Sequence, residues 1–511
     1  MSVGAATLVG SLAAAPDAAR RPVIAPFTGE VLYELPLSTE RDVAQVVERA
    51  RTAQQSWAAL PIARRSAILL RFHDLVLARR DEILDLIQME TGKARRDANE
   101  EVLDVCINAR HYARDIARLM RPRRVRGAFP LLVGAQVIRH PVGVVGVISP
   151  WNYPLTLAAG DSIPALLAGN AVIVKPDVQT TLTALWVRQR LLDAGVPPDV
   201  FAIVSGEGPV IGPALIDVVD HVNFTGSTHT GRIVAERCAR RLIGCTLELG
   251  GKNAMIIRAD ADPVRAAAIA ERACFANSGQ LCISMERIYV HEAVTGAFLQ
   301  EFAQRARAMR MIPHVGWGAS IGSLISQLQV DRFLSHVEDA VTRGARVVTG
   351  GHARPDVGPF YVEPTILTDV DETMLVCRTE TFGPLVSVYP VGSDDEAIER
   401  ANDTSFGLNA AVITRDRKTG ATLARRLHSG SVNVNEGYAS SWASVRAPTG
   451  GWADSGLGSR HGDEAVHAVT RVQNIATQRA FGFDPQFGMS DERWAATLTT
   501  AIGLIKKIGM K

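Results

Sequence analysis

The chain has 511 residues, of which 47% are apolar and 21% are charged, and its formal net charge is +2. This length exceeds what one hydrophobic core organises, so we expect a globular protein of two or three domains. The near-neutral charge gives no reason to expect a nucleic-acid partner, and no apolar run is long enough to span a bilayer.

The start of the chain and its cysteines bear on where the protein works. Residues 5–15 are small and apolar, but no Lys or Arg precedes them. A secretory signal has a basic start and a bulkier apolar stretch, so we interpret this segment as a frayed terminus. The six cysteines have neither metal-ligand spacing nor the density of a disulfide framework. We therefore expect a reducing, cytoplasmic location and no metal site.

Helical patterns dominate the first 120 residues. The predicted elements are a strand at 29–33 and helices at 39–57, 62–89 and 99–119. Thr39 is in position to cap the first helix, and Gly92 follows the second. The basic run at 121–124 then breaks the pattern, and 131–140 is typical of a projecting hairpin. Because the run has no interleaved aromatic residues, we interpret it as a solvated or inter-subunit face and not as a nucleic-acid site.

From residue 142 the pattern alternates between strands and helices. Strands are predicted at 142–148, 171–174, 200–204 and 221–224, with helices at 180–194 and 210–216. Continuous apolar, β-branched strands are typical of a parallel sheet buried on both faces. The alternation predicts a doubly wound α/β unit, in which ligands bind beyond the carboxyl ends of the strands.

Polar motifs follow three of these strands. They are Ser149-Pro150-Trp151-Asn152-Tyr153-Pro154, Lys175-Pro176-Asp177 and Gly226-Ser227-Thr228-His229-Thr230-Gly231. The glycines of the third motif would let backbone N–H groups at a helix start approach a pyrophosphate. This motif lacks the third glycine of the Rossmann fingerprint and is weak by itself. Lysine is rare before the C-terminal tail, which draws attention to Lys175 and Lys252.

The segment 246–282 carries a carboxylate and a thiol at its two ends. Glu248 lies where a strand gives way to Gly250-Gly251, and Cys282 lies on a loop beyond a helix that Asp262 caps. A loop thiol can act as a nucleophile, and a nearby carboxylate can deprotonate it or a water molecule. The alternative is that Cys282 is a small buried apolar residue and Glu248 a surface charge.

A second α/β domain is predicted after Cys282. Its strands are expected at 286–290, 345–348, 386–390 and 411–414, and its helices at 293–309 and 327–343. The turn Glu380-Thr381-Phe382-Gly383-Pro384 interrupts it. At the C terminus Ser490 caps a helix with an apolar stripe, which suits docking on the protein or a partner subunit better than a membrane surface.

Taken together, the motifs at 149–154, 175, 226–231, 248–252, 279–282 and 380–384 resemble the NAD(P)-dependent aldehyde dehydrogenase superfamily, in order and spacing, over about residues 25–480. The segments 279–284, 433–438 and 459–462 make the chain most similar to bacterial enzymes described as NADP-type succinate-semialdehyde dehydrogenases.

The resemblance implies an α/β fold with two Rossmann-like doubly wound domains and a small β oligomerisation element. The implied parts are a dinucleotide-binding domain at 1–122 and 142–252, a catalytic domain at 253–445, an oligomerisation element at 123–141 and 446–482, and a C-terminal helical extension at 483–511. A homo-oligomer, either dimer or tetramer, is expected.

The resemblance also implies roles for individual residues. Cys282 is the nucleophile, Glu248 the base that activates water, and Asn152 a donor to the oxyanion. Lys175 is expected at the adenosine ribose, Ser227 at the pyrophosphate, and Glu380 at the nicotinamide ribose. The complete expected cofactor set is Ser149, Trp151, Lys175, Asp177, Val178, Gly226, Ser227, Gly231, Leu249, Glu380 and Phe382.

The sequence departs from the family pattern at the cofactor and substrate positions. NAD-preferring relatives usually carry a Glu at the position of Val178, so NADP is admissible and modestly favoured. Known succinate-semialdehyde dehydrogenases hold the substrate carboxylate with arginines at the positions of Gly160 and Ala276. Arg287 and Arg446 are the nearby substitutes that the sequence offers.

Two further departures affect the pocket rim. The Lys of the usual Pro-Phe-Gly-Gly-x-Lys segment is missing, and Arg460 replaces the Glu of the usual Gly-Arg-Glu. The resemblance implies succinic semialdehyde as the substrate, and the absent arginines permit apolar or aromatic aldehydes as the alternative. A Cys-dependent hydrolase, or a non-catalytic protein with this fold, is the alternative from another class.

Overall fold

The computed structural model describes residues 7–15, 17–126 and 132–507. Its helices from residue 40 onward are α1 (Glu40–Ala59), α2 (Ile62–Ala78), α3 (Arg80–Thr91), α4 (Arg95–Leu119), α5 (Pro154–Ala159), α6 (Ser162–Ala168), α7 (Thr181–Ala194), α8 (Gly208–Ile216), α9 (Thr228–Arg240), α10 (Pro263–Phe275), α11 (Glu292–Arg307), α12 (Gln327–Thr342), α13 (Leu375–Arg378), α14 (Asp394–Asn402), α15 (Arg417–Ala424), α16 (Ala439–Trp442), α17 (Glu464–Ala468) and α18 (Asp491–Lys507).

The strands are β1 (Arg20–Ile24), β2 (Val31–Pro36), β3 (Arg123–Arg126), β4 (Val133–Pro141), β5 (Val144–Ser149), β6 (Ala171–Pro176), β7 (Phe201–Ile203), β8 (His221–Thr225), β9 (Gly244–Glu248), β10 (Asn253–Ile257), β11 (Met285–His291), β12 (Arg346–Thr349), β13 (Thr365–Thr368), β14 (Leu385–Val391), β15 (Phe406–Gly407), β16 (Asn409–Ile413), β17 (Ser431–Val434), β18 (Trp452–Ala453), β19 (Gly456–Leu457) and β20 (Thr470–Gln478).

The first large sheet has the strand order β19-β9-β8-β5-β6-β7. Strands β5 to β9 pair in parallel, and β19 adds an antiparallel edge beside β9. The strand order reverses between β5 and β8, so their crossover connections leave in opposite directions. Such a switch point opens a crevice beyond the carboxyl ends of the two strands.

The second large sheet has the order β12-β13-β14-β11-β10-β16-β17 and is parallel except for β12. Successive residues of β10 enter different cores. Ile256 packs in the cluster that contains Phe333, whereas Ile257 packs in the cluster that contains Phe302. Because side chains alternate along a strand, this sheet is buried on both faces, as its apolar strands predict.

The two parallel sheets confirm the predicted α/β class with two doubly wound units. Thr39 caps α1 through a capping box with Asp42, and Asp262 caps α10 through two backbone N–H groups. The single helix predicted at 62–89 is wrong, because the backbone leaves helical geometry at Arg79 and forms α2 and α3. Neither Gly nor Pro marks this break, and the helical spacing of apolar residues continues through it. The sequence therefore gives no local signal that one helix ends there.

The chain divides into two compact units. The larger contains the described residues of 1–119 and 141–470, and the smaller those of 120–140 and 471–511. In the smaller unit the sheet has the order β20-β4-β3, and Trp494 of α18 packs edge-on against Phe481. Residues 446–470 thus cluster with the larger unit, and the oligomerisation role of 123–141 and 446–482 stays a prediction. None of the described helices is long and apolar enough to pass through a bilayer.

Candidate active site

Residues from three separate segments of the chain meet at one cavity in the larger unit. Cys282, Glu248 and Asn152 all line it. The rest of its wall is largely aromatic and aliphatic, with Tyr112, Tyr153, Leu157, Leu281, Ile283, Tyr438 and Trp442 among the lining residues. The structure therefore brings the three predicted catalytic residues to one cavity.

Cys282 lies on a loop that follows the short 3₁₀ turn Ala276–Gly279. Gly279 has a φ of 71°, and a Cβ there would lie 2.1 Å from the carbonyl oxygen of Gly383, so only glycine fits. Burial raises the pKa of the Cys282 thiol to about 12, and the negative charges of Glu248 and Glu380 act in the same direction. The thiol is therefore protonated at neutral pH and needs a base to become a nucleophile.

Glu248 is the last residue of β9 and is 9% exposed. Burial raises the pKa of this carboxyl to about 8, while the positive charge of Arg460 opposes the shift and Asp161 adds to it. Its Oε1 atom has no hydrogen-bond partner among the described residues. A carboxyl group with a pKa near neutrality and a free oxygen is suited to accept a proton.

Asn152 is held at both its backbone and its side chain. Its Nδ2 donates to the carbonyl oxygen of Gln280 at 3.1 Å, which leaves a second N–H free. Its own carbonyl oxygen accepts from Lys93 Nζ at 2.6 Å and from Asn277 Nδ2 at 3.0 Å. Lys93, only 1% exposed, also forms an ion pair with Glu101 at 2.6 Å. Lys93 lies in none of the motifs that predict function, although the rarity of lysine in this chain is a signal that could single it out.

Most of the residues predicted for the cofactor lie at the carboxyl ends of strands in the first sheet. Ser149 ends β5, is buried, and its Oγ has no hydrogen-bond partner among the described residues. Lys175 is 5% exposed in β6, and burial lowers its pKa. Asp177 accepts from the backbone N–H of Gln179 at 2.9 Å, and Val178 follows it in a single 3₁₀ turn.

The glycine motif after β8 forms the start of α9. Ser227 caps this helix by accepting from the backbone N–H of Thr230 at 3.3 Å. A Cβ on Gly231 would lie 2.4 Å from Leu249 Cδ2, and one on Gly226 would lie 2.6 Å from the ring of Phe224. Helix N-termini attract anions, so this end of α9 suits a phosphate group.

The turn at 380–384 lies against the Gly250-Gly251 turn. Glu380 Oε1 accepts from the backbone N–H of Gly251 at 2.9 Å, and burial raises the pKa of Glu380 to about 7. Phe382 contacts Trp151 edge-on, with ring centroids 5.5 Å apart. Glu286 fixes the turn by accepting from the N–H of Phe382 at 3.0 Å and by pairing with Lys252. Lys252, to which the rarity of lysine drew attention, thus stabilises the turn through its ion pair with Glu286.

Comparison with known proteins identifies the family. A model of the aldehyde dehydrogenase family matches residues 14–475. The chain belongs to this family. This membership confirms the predicted resemblance and makes the protein an aldehyde-oxidising oxidoreductase.

Similar members of the aldehyde dehydrogenase family include two mycobacterial proteins. The Mycolicibacterium smegmatis protein named "Putative succinate-semialdehyde dehydrogenase (NADP(+))" is 50% identical over 488 residues, covering 96% of this chain and 94% of that protein. The Mycobacterium tuberculosis protein named "Putative succinate-semialdehyde dehydrogenase (NADP(+)) 2" is 46% identical over 501 residues, covering 98% of this chain and 97% of that protein.

Solved structures of other proteins share the fold. An NADP dependent enzyme of E. coli superimposes with a TM-score of 0.87 at 31% identity, covering 91% of this chain and 96% of that one. The NAD+ complex of an aldehyde dehydrogenase from Bacillus cereus superimposes with a TM-score of 0.86 at 32% identity, covering 90% and 93%.

The two arginines that the sequence offers for binding a substrate carboxylate do not line the cavity of this dehydrogenase. The guanidinium of Arg287 is buried and hydrogen-bonds to backbone carbonyls away from the cavity. Arg446 is exposed and is not part of the cavity wall. Arg460, which in the sequence is a departure from the family pattern at the pocket rim, lines the cavity together with Gly160.

Proposed function

We propose that this aldehyde dehydrogenase oxidises succinic semialdehyde to succinate, with NADP or NAD as the hydride acceptor. The reaction type is supported by one observation, which is that Cys282, Glu248 and Asn152 line the same cavity. The substrate is supported by the names of the mycobacterial relatives, which are 50% and 46% identical to this chain.

In the proposed mechanism Cys282 attacks the aldehyde carbon as a thiolate after Glu248 accepts the thiol proton. The carbonyl oxygen becomes an oxyanion in the resulting thiohemiacetal. The free N–H of the Asn152 amide and the backbone N–H of Cys282 stabilise this charge by hydrogen bonding. The thiohemiacetal loses its hydride as the oxyanion re-forms a carbonyl, which leaves a thioester on Cys282. Glu248, after releasing the thiol proton to solvent, deprotonates a water molecule that attacks this thioester. The acid and the Cys282 thiolate separate, and Glu248 returns its proton to the sulfur.

The residues at the switch point fit a dinucleotide. The unpartnered Ser149 hydroxyl, the buried Lys175 ammonium and the N-terminus of α9 at Ser227 offer donors, and the Glu380 carboxyl offers an acceptor for a ribose hydroxyl. Bound NAD(P)+ supplies the hydride acceptor.

Replacing Asn152 with Ala should reduce kcat by about 10²- to 10³-fold, because one oxyanion donor is lost. Steady-state formation of NAD(P)H at 340 nm measures the effect. Asn223→Ala is the matched control, since Asn223 is a buried asparagine of β8 outside the cavity. Equal kcat values for wild type and the Asn152 variant would remove Asn152 from the mechanism.

Replacing Val178 with Glu should lower kcat/KM for NADP about 100-fold relative to NAD, because a carboxylate repels a 2′-phosphate. Val178→Gln, of the same size without the charge, should leave the cofactor ratio near that of wild type. An unchanged ratio in the Glu variant would place the 2′-phosphate elsewhere.

The substrate is tested by steady-state kinetics with succinic semialdehyde, hexanal and benzaldehyde, each with both cofactors. We expect the highest kcat/KM with succinic semialdehyde. The apolar and aromatic wall of the cavity makes the two neutral aldehydes the relevant competitors. A large preference for them would exclude the proposed substrate, and aldehyde consumption without reduced cofactor would exclude dehydrogenase chemistry.

A further inference from the structure

One side chain supplies the positive charge of the cavity. The charged residues on the wall are Glu100, Asp104, Asp161, Glu248 and Arg460. Among the described residues that line the cavity, Arg460 is the one Lys or Arg. His461 also lines it, but burial lowers its pKa to about 3, with the charge of Arg460 acting in the same direction, so the ring is neutral.

The guanidinium of Arg460 is held in place and still has N–H groups without a hydrogen-bond acceptor among the described residues. Its backbone exchanges hydrogen bonds with Thr449 at 2.7 and 2.8 Å. Its Nε donates to Asp161 Oδ1 at 2.8 Å, and Nη2 lies 2.8 Å from the same oxygen. No described residue accepts from Nη1, while the side chain is only 17% exposed. A fixed guanidinium with free N–H groups matches the geometry of a carboxylate.

Gly160 leaves room for this guanidinium. A Cβ on Gly160 would lie 3.7 Å from Arg460 Nη2. Since Gly160 has no side chain, the cavity stays open beside the charged group.

Two acidic residues of the wall, Glu100 and Asp161, are paired with arginines, and a third, Asp104, has a raised pKa. Glu100 pairs with Arg272 and accepts from Tyr438 Oη at 3.1 Å, and Asp161 pairs with Arg460. Burial raises the pKa of Asp104 to about 7. The Asp104 carboxyl is therefore partly protonated at neutral pH, and it repels an anion less than a fully ionised carboxylate does.

We propose that Arg460 binds the carboxylate of the substrate and selects anionic semialdehydes over neutral aldehydes of the same length. The assignment rests on the proposed function and names the group that holds the substrate at that site. Arg460 is then the specificity-determining residue of the cavity.

The test compares succinic semialdehyde with butanal, a neutral aldehyde of equal chain length, in the full-length enzyme. Arg460→Gln should reduce the ratio of the two kcat/KM values by about 100-fold, as expected for a lost charged hydrogen bond. Arg460→Lys keeps the positive charge but lacks the planar guanidinium with its parallel N–H donors. Its ratio should lie between those of Arg460→Gln and wild type. Arg446→Gln, an exposed arginine outside the cavity, is the control that should keep it.

The ratio separates recognition from a general effect on Glu248, because a disturbed base slows both substrates alike. A wild-type preference for succinic semialdehyde that survives in Arg460→Gln would overturn the assignment alone. A wild type that does not prefer succinic semialdehyde over butanal would overturn the proposed substrate and the assignment with it.

A second variant covers the case in which Arg460→Gln does not fold. Asp161→Asn removes the competing carboxylate, so it should lower the KM for succinic semialdehyde several-fold relative to butanal. Titration of the Cys282→Ser protein with succinate by calorimetry gives a readout without turnover. Succinate affinity should increase when Asp161→Asn is added, and unchanged affinity and KM would overturn the assignment.

Discussion

Replacing Cys282 with Ser should reduce aldehyde oxidation by about 10⁴-fold or more, the largest single effect expected in this enzyme. The thiol, despite a pKa that burial raises to about 12, is a far stronger acid and nucleophile than a serine hydroxyl. The adjacent Glu248 can deprotonate the thiol but not an alcohol to a comparable extent. Formation of NAD(P)H at 340 nm under saturating aldehyde measures the loss.

Cys245→Ser is the matched control for this substitution. Cys245 is half-buried in β9, the strand that ends at Glu248, but it does not line the cavity. We expect this variant to keep activity within a few-fold of wild type. Turnover that persists in Cys282→Ser, with thermal unfolding unchanged, would show that another group is the nucleophile.

Replacing Glu248 with Gln should lower steady-state turnover by about 10²- to 10⁴-fold, the range for a lost general base. The first turnover should still release one equivalent of NAD(P)H per active site, although more slowly, because Cys282 remains. The thioester should then accumulate and be visible as an added acyl mass on the intact protein. Stopped-flow absorbance at 340 nm separates the burst from the steady state.

The pH dependence gives an independent check on Glu248. Burial raises the pKa of this carboxyl to about 8, so its fraction in the base form increases as the pH rises through 8. In wild type, kcat should therefore increase over this interval, and the increase should be absent in Glu248→Gln. Bound cofactor and acyl group alter the surroundings, so the midpoint in kcat need not equal that in kcat/KM.

Glu90→Gln is the control for a buried Glu-to-Gln change. Burial also raises the pKa of Glu90, to about 7, but this residue binds Tyr33 and Thr183 and does not line the cavity. The Glu90→Gln variant should keep the wild-type ratio of NAD(P)H burst amplitude to steady-state rate. A Glu248 variant with normal turnover and no accumulated thioester would assign the water-activating role to another residue.

The sequence alone predicted the α/β class and the positions of most strands and helix caps. These features depend on short stretches of chain: β-branched apolar runs define β5 and β10, and Thr39 or Asp262 caps the helix that follows it. Because polar motifs follow the strand ends, the chain order also indicated where ligands bind. The break at Arg79 was missed because backbone geometry changes there without Gly or Pro.

The tertiary structure decided which residues share the cavity and with what charge. The Arg460–Asp161 hydrogen bond joins residues separated by 299 positions, and Lys93 reaches Asn152 across 59 positions. No local pattern encodes such contacts, since they arise only when loops from different elements fold onto one site. The raised pKa values of Glu248 and Cys282 likewise come from burial, which the packed chain imposes and the sequence order does not express.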